Sequence, residues 1–191
     1  MSNELTEALF NKYPLIFKGR YKSIQESLIP FGIECGNGWY WLIGNLCSQL
    51  QWDIDNNNKS YVIKNKFLRK LFPKLEKFIN YKIFRVYHFD RYLRKIIQRY
   101  RLKQEFIPIE TNRYPQIEAV QVKEKFGGLR FYVQSASNEQ HAIISWAESL
   151  SYNICERCGS TKNIGTTQGW ITTLCKECAK DNKTWKENET N

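Results

Sequence analysis

The amino-acid sequence predicts an α+β fold that is mainly helical, with one β-hairpin and a C-terminal module built on four cysteines. Three patterns lead to this prediction. Apolar residues recur at helical spacing along much of the chain, a period of two surrounds the pair Gly127-Gly128, and two Cys-x-x-Cys pairs follow residue 150. Helical periodicity combined with a local hairpin is typical of the α+β class.

The N-terminal part of the chain predicts two helices. The stretch "SNELTEALFNKYP" begins with Ser2 or Asn3 as a cap, and its helix ends before Pro14. A stronger amphipathic pattern follows in "CGNGWYWLIGNLCSQLQ", where Asn37 and Gly38 mark the start. Its apolar positions fall on one helical face and are Trp39, Leu42, Ile43, Leu46, Cys47 and Leu50.

Two more helical patterns lie within residues 59–103. The first apolar stripe is Phe67, Leu68, Leu71, Phe72, Leu75, Phe78 and Ile79. Pro73 falls inside this stripe and predicts a kink, or a new helix that starts at Pro73. The second stripe is Phe89, Tyr92, Leu93, Ile96, Ile97 and Tyr100, with Arg91, Arg94, Lys95 and Gln98 on the opposite face. We expect a folded helical unit whose aromatic side chains form its core, with base stacking as the weaker alternative.

The segment "IEAVQVKEKFGGLRFYV" predicts the β-hairpin. Its first strand alternates through Val120, Val122 and Glu124, its turn lies at Gly127-Gly128, and its second strand returns with Leu129, Phe131 and Val133 on one side. A helix is then predicted by the capping box of Ser137 and Gln140. The apolar face of this helix consists of Ile143, Trp146, Ala147 and Leu150.

The C-terminal module carries the most specific motif of the sequence. Cys155 and Cys158 form one Cys-x-x-Cys pair, Cys175 and Cys178 form the second, and sixteen residues separate the pairs. This spacing is typical of paired zinc knuckles, in which four thiolates surround one ion. Gly159 supports the assignment, because a knuckle needs a residue that tolerates positive φ after its second thiolate. The sequence therefore predicts a zinc ribbon with one structural zinc ion.

Two other uses of these cysteines remain as weaker alternatives, namely a pair of disulfides and a dithiol redox site. We expect no secretory segment before the chain, and no βαβ pattern surrounds either pair. Cys35 and Cys47 are left over, and Cys47 falls on an apolar helical face, where a free cysteine packs as a small hydrophobic residue.

Length and spacing predict two domains. Residues 1–150 are expected to form a mainly helical α+β domain that contains a basic helical insert, residues 59–103, and residues 151–191 the zinc-ribbon module. The module alone is too short to bury a sufficient core, and a bound metal offsets this deficit. The absence of a long apolar run and of a signal peptide predicts a cytoplasmic protein, and we expect a monomer.

The positive charge is concentrated in one block of the chain. Residues 59–103 contain 15 basic and 2 acidic side chains, whereas the formal net charge of the whole protein is +10. Such density predicts a surface for nucleic acid or an acidic partner, and a solvated helical face is the alternative. The candidate contact residues are Lys66, Arg69, Lys70, Lys74, Arg91, Arg94, Lys95, Arg99 and Arg101.

Several segments resemble a set of small phage and prophage proteins. These share a Cys-Gly-x-Gly-Trp helix, a Val-Lys-Glu-Lys-Phe-Gly hairpin and C-terminal paired zinc knuckles, which match "CGNGW", "VKEKFG" and the cysteine pairs here. The resemblance covers about half of the chain and implies metal ligation by the four cysteines of the module. Similar proteins often end the motif in Leu-Cys-x-x-His, where this chain has Cys178. The resemblance implies no settled activity, and it would place the protein in the cytoplasm of a host cell.

Three functions are compatible with these patterns. The first is a non-enzymatic phage or mobile-element effector that binds a host nucleic-acid machine or its RNA or DNA, such as an anti-CRISPR-type inhibitor of a defence nuclease. The second is a regulatory zinc-ribbon protein that binds DNA or RNA directly. An enzyme ranks third, because no nucleophile, base and orienting group lie at usable spacing in the sequence.

Overall fold

A computed structural model describes residues 1–79, 89–111 and 114–188. The fold is of the mixed α+β class, with helices and small antiparallel sheets. Contacts divide the chain into two compact units. Unit 1 comprises residues 1–56 and 114–191, and unit 2 comprises residues 57–113.

Unit 1 begins with two helices. Helix α1 spans Asn3–Lys12 and is capped by the Ser2 hydroxyl, which accepts a hydrogen bond from the Leu5 amide at 3.5 Å. Short 3₁₀ turns at Lys18–Tyr21, Ile29–Phe31 and Asn37–Trp39 lead to α2, which spans Tyr40–Asn57. The predicted stripe is confirmed, because Trp39, Leu42, Ile43, Leu46, Cys47 and Leu50 are all buried.

The predicted hairpin is present in unit 1, with a turn one residue earlier than expected. Strand β3 spans Glu118–Lys125 and pairs antiparallel with the later strand Gly128–Gln134. The two turn residues are Phe126 and Gly127, with φ values of 54° and 77°, as two-residue hairpin turns require. A bulge between Ala119 and Gln121 shifts the alternation, so Ala119 and Val122 point into the core in place of the predicted Val120.

The helix after the hairpin begins with the predicted capping box of Ser137 and Gln140. This helix spans Asn138–Ser151. Its buried apolar positions are Ile144 and Ala147, and the indole of Trp146 is 66% exposed. The prediction that Trp146 lies on the buried face is wrong, because the buried stripe is rotated by about a quarter of a turn towards Ile144.

The remaining strands of unit 1 belong to the cysteine module. They span Ile164–Thr167, Thr173–Cys175 and Trp185–Glu187, and the first of them is the central strand of an antiparallel sheet. In chain order these three strands are β5, β6 and β7. The second strand of the hairpin, Gly128–Gln134, is β4. The module has its own small apolar cluster, which includes Ile164, Leu174 and Ala179.

Within its described residues, unit 2 contains two paired strands and two helices. Strand β1 spans Lys59–Ile63 and pairs antiparallel with β2, Phe106–Glu110, whereas the sequence predicted a purely helical block. Helix α3 spans Lys66–Ile79 and α4 spans Phe89–Leu102. Helix α3 continues through Pro73, so no new helix begins there. In keeping with chain order, the capping-box helix Asn138–Ser151 is α5.

Some aromatic side chains of unit 2 are not in its core. Phe72 and Ile79 are buried in the described part of α3, whereas Phe67, Tyr92 and Tyr100 are 70%, 61% and 62% exposed. The expectation that these three form the core is therefore wrong. Helical spacing shows which side chains lie on the same face of a helix. That face is buried only where a second element covers it.

In the described ranges, no helix combines the length and the apolar character that crossing a lipid bilayer requires.

Candidate metal centre and basic surface

The four cysteines of the C-terminal module come together in space. The Sγ atoms of Cys155, Cys158, Cys175 and Cys178 all lie within 4.8 Å of one another. The Sγ atoms of Cys158 and Cys175 are 3.7 Å apart. A tetrahedral site with metal–sulfur bonds of about 2.3 Å requires neighbouring sulfurs about 3.8 Å apart. The cluster could therefore hold a metal ion.

Local backbone structure sets the positions of these sulfurs. Gly159 follows the first pair at φ 79°, and its amide donates to the Cys155 carbonyl at 2.8 Å, which closes the first knuckle. The second knuckle begins where β6 ends, and the Cys178 amide points at Cys175 Sγ over 3.4 Å. Strand pairing of Ile164 with Cys175 anchors this knuckle to the module sheet.

Backbone amides around the cluster favour a thiolate at Cys155. Although burial opposes ionisation, amide donors of Cys175, Cys158 and Arg157 lower the pKa of the Cys155 thiol to about 7. Metal ligation requires the thiolate form of cysteine. The same donors therefore prepare this position for a cation.

The segment that connects α1 to α2 forms hydrogen bonds with the first knuckle and the residue before it. The Gly36 amide donates to the Glu156 carboxylate at 2.7 Å, and the Gly38 amide donates to the Glu156 carbonyl at 2.8 Å. The indole Nε1 of the fully buried Trp39 donates to the Ile154 carbonyl at 2.9 Å. The Cys-Gly-x-Gly-Trp motif is thus a docking segment for the residues on either side of Cys155.

Glycine is needed at two positions because the knuckle backbone lies so close. A Cβ atom on Gly36 would lie 2.2 Å from the Glu156 carbonyl oxygen. A Cβ atom on Gly38 would lie 2.2 Å from the Cys155 carbonyl oxygen and 2.4 Å from the Gly159 nitrogen. These contacts are far below van der Waals separation, so any side chain would force the docking segment and the knuckle apart.

The tip of the β3–β4 hairpin docks on the other side of the cysteine module. The buried Thr173 hydroxyl donates to the Gly127 carbonyl at 2.6 Å, and the Thr173 carbonyl accepts from the Glu156 amide at 2.9 Å. A Cβ on Gly127 would contact Ile171 at 3.0 Å. Both distinctive motifs therefore serve to attach the cysteine module to the rest of unit 1. In the sequence, the closely spaced glycines of the two motifs indicate that another part of the chain approaches closely. The sequence does not show which part that is.

The two remaining cysteines lie outside the cluster. Cys35 and Cys47 are buried in the main core of unit 1. Burial raises the pKa of Cys35 to about 12 and the pKa of Cys47 further still. Both are therefore neutral thiols that pack as apolar side chains, as the sequence predicted for Cys47.

The predicted basic residues are distributed over helices α3 and α4 of unit 2. Those that are exposed are Lys66, Lys70 and Lys74 on α3 and Arg91, Arg94, Lys95, Arg99 and Arg101 on α4. Two of the predicted contact residues form contacts within unit 2. Arg69 is half-buried and its Nε donates to the Ile63 carbonyl at 3.0 Å, and Arg101 pairs with Glu76 at 3.2 Å.

Comparisons of the chain with protein-family models, curated proteins and solved structures find no match. Function is therefore inferred from the chemistry of the cysteine cluster and of the basic surface.

Proposed function

We propose that the four-cysteine cluster holds one zinc ion and that this ion is structural. Four thiolates at tetrahedral spacing are the ligand set that zinc prefers in ribbon-like modules. All four positions are cysteine, which leaves no open coordination site for water or substrate. The ion joins the two knuckles of the module, and the docking segment and the hairpin tip both hold that module in unit 1.

We further propose that the protein is a non-enzymatic effector that uses unit 2 to engage the nucleic acid of a host nucleic-acid machine. The observation that carries this proposal is a lysine stripe on α3, defined as Lys66, Lys70 and Lys74. These residues are exposed and four positions apart, so they share one helical face. That face lies opposite the buried Phe72.

The placement of this stripe is unfavourable unless an anion is bound. Lys66 is the first residue of α3, where the helix dipole is positive, and the first turn contains no acidic residue. Among the residues that the structure describes, no carboxylate forms an ion pair with the three lysines. A phosphate backbone that contacts the stripe would relieve this repulsion.

The resemblance to phage and prophage proteins suggests a more specific form of the proposal. In this form the protein acts in the host cytoplasm as an anti-CRISPR-type inhibitor of a defence nuclease. The metal module and the hairpin then provide a rigid base, and the basic surface contacts the guide, the target or the nucleoprotein itself.

A direct DNA- or RNA-binding regulator is the second candidate. The exposed tyrosines of α4 favour it, because aromatic rings beside basic side chains contact bases as well as phosphates. The two candidates share the basic surface and differ in whether a host protein also takes part.

Reversing the charge of the lysine stripe tests the shared part of both candidates. Lys66→Glu, Lys70→Glu and Lys74→Glu in one variant should abolish binding to nucleic acid and to host nucleoprotein, measured by electrophoretic shift and by capture from lysate with and without nuclease. Each lost phosphate contact should lower the logarithmic salt dependence by about 0.7 to 0.9. The variant should stay folded, because glutamate at Lys66 complements the helix dipole.

The matched control reverses three exposed lysines of unit 1, namely Lys12, Lys162 and Lys183. This control has the same change in net charge and should retain binding. If both variants bind alike, net charge alone is responsible and the proposed surface is wrong. Capture that survives nuclease treatment would favour the host-protein candidate over the direct regulator.

A further inference from the structure

Helix α4 exposes a row of apolar side chains on one face. Tyr92, Ile96 and Tyr100 are four residues apart and therefore lie one above another along the helix. Their side chains are 61%, 43% and 62% exposed. A rise of about 1.5 Å per residue separates successive members of the row by about 6 Å. An exposed apolar row of this kind marks a contact surface.

The row is not the side of α4 that packs against α3. That side carries the ion pair between Arg101 and Glu76, at 3.2 Å. It also borders a pocket of about 280 Å³ lined by Glu76, Arg94, Ile97, Gln98 and Arg101. Relative to Ile96, the side chains of Ile97 and Arg101 are rotated by about 100° and 140° around the helix axis. The row therefore points away from α3.

A basic side chain follows each member of the row at the same interval. The stretch "YLRKIIQRYRLK" places Lys95, Arg99 and Lys103 three residues after Tyr92, Ile96 and Tyr100 respectively. All three basic residues are exposed. Residues three apart are neighbours on a helix surface. Apolar and cationic groups therefore alternate along this face with a period of four residues, and Lys103 continues the pattern one residue past the end of α4.

A single-stranded nucleic acid complements this alternation. It presents flat bases and anionic phosphates in turn, whereas a duplex keeps its bases stacked inside. The step of about 6 Å along the row is longer than the step of about 3.4 Å per nucleotide in a duplex strand. It therefore fits a strand whose bases are drawn apart. A helix that lies in a membrane surface needs an uninterrupted apolar face, which the cations divide here.

We propose that this tyrosine face, defined as Tyr92, Lys95, Ile96, Arg99, Tyr100 and Lys103, binds single-stranded nucleic acid. Unpaired bases stack on the two tyrosine rings, and phosphates contact the three cations. This inference rests on the proposed function and deepens it, because it names the form of nucleic acid that unit 2 recognises.

The test uses the full-length, metal-loaded protein and two fluorescent probes. One probe is an oligothymidylate of about 15 nucleotides, which is within the size range of single-strand sites, and the other is a duplex of equal length. The parent should bind the single strand more tightly. Tyr92→Ala with Tyr100→Ala should weaken single-strand binding by about thirtyfold or more, because each stacked base contributes. The salt dependence should not change, since every cation is retained.

Two variants control for loss of structure and for aromatic character. Tyr92→Phe with Tyr100→Phe keeps both rings and should bind the single strand about as well as the parent. Tyr61→Ala removes a ring that is 66% exposed on β1 of the same unit, and it should also bind as the parent does. A loss of binding in the phenylalanine variant would overturn the stacking role.

Other outcomes separate this inference from the proposed function. If reversal of the lysine stripe abolishes binding but the alanine variant binds the single strand as the parent does, the tyrosine face is wrong and the proposed function stands. If neither change affects binding, both proposals fail. A parent that prefers the duplex, or that binds vesicles of anionic phosphatidylglycerol but not the oligothymidylate, overturns the assignment of a single strand.

Discussion

Gly38 illustrates how a single residue joins the cysteine module to the main core. Its amide bonds to the Glu156 carbonyl, and its Cα lies so close to the knuckle that no side chain fits. The next residue, Trp39, is fully buried and bonds to the carbonyl of Ile154. Gly38 therefore permits close approach of the backbone, and Trp39 fills the space behind it.

We expect Gly38→Ala to lower the free energy of unfolding by at least about 2 kcal/mol, because its Cβ would collide with backbone atoms that cannot move independently. The measurement is chemical denaturation followed by tryptophan fluorescence. Gly44→Ala is the matched control on α2, where a Cβ meets only Leu9 Cδ2 at 3.6 Å. Alanine favours helix there and should stabilise by up to about 1 kcal/mol. Equal stability of both variants would contradict the docking role of Gly38.

The hairpin is the element that links the core of unit 1 to the cysteine module. Its β4 strand buries Leu129 and Phe131, and the ring of Phe131 lies edge-on to Phe17 with centroids 6.4 Å apart. Its turn is held by the hydrogen bond from the Thr173 hydroxyl to Gly127. One face of the hairpin therefore belongs to the main core, while its tip contacts the cysteine module.

Neighbouring residues of β4 provide a paired test of this arrangement. Phe131→Ala should destabilise unit 1 by about 3–5 kcal/mol, because it leaves a cavity in a packed core. Tyr132→Ala alters the adjacent residue, which is 40% exposed, and should cost no more than about 1 kcal/mol. Thermal denaturation of both variants measures the difference. Similar losses for the two would show that the assignment of faces is wrong.

At the scale of the whole molecule, the cysteine module and the N-terminal helices belong to one compact unit. Contacts of the first knuckle join residues that are more than a hundred positions apart in the chain, such as Gly36 and Glu156. Structural zinc contributes on the order of 10 kcal/mol to the folding of small sites. Loss of the metal should therefore affect the main core as well as the module.

Metal removal tests this coupling. Freshly purified reduced protein should contain one zinc ion per chain by elemental analysis, and chelation should lower the melting temperature and change the near-ultraviolet signal of the buried Trp39. Cys158→Ser should reproduce both effects. Cys35→Ala, which alters a buried cysteine outside the cluster, should retain one zinc ion per chain. A chelated protein with an unchanged core signal would mean that the module folds separately from the core.

Local patterns were sufficient to predict several features of this protein. The spacing of the cysteines predicted their cluster, because a Cys-x-x-Cys turn brings two sulfurs together wherever it occurs. The stripe from Trp39 to Leu50 and the capping box of Ser137 were also predicted, since helical periodicity and cap chemistry act over a few residues. The alternation around Gly127 predicted the hairpin, although the bulge shifted its register and the turn begins at Phe126.

By itself, then, the sequence determined which short segments form helices, where the hairpin lies and which four thiols meet. Only the tertiary structure decided that Lys59 pairs with Glu110, that Gly38 rests on the knuckle at Glu156, and that Tyr92 and Tyr100 face outward. The physical reason is that periodicity specifies which side chains share a face, whereas burial and close backbone approach depend on elements from distant parts of the chain that cover that face.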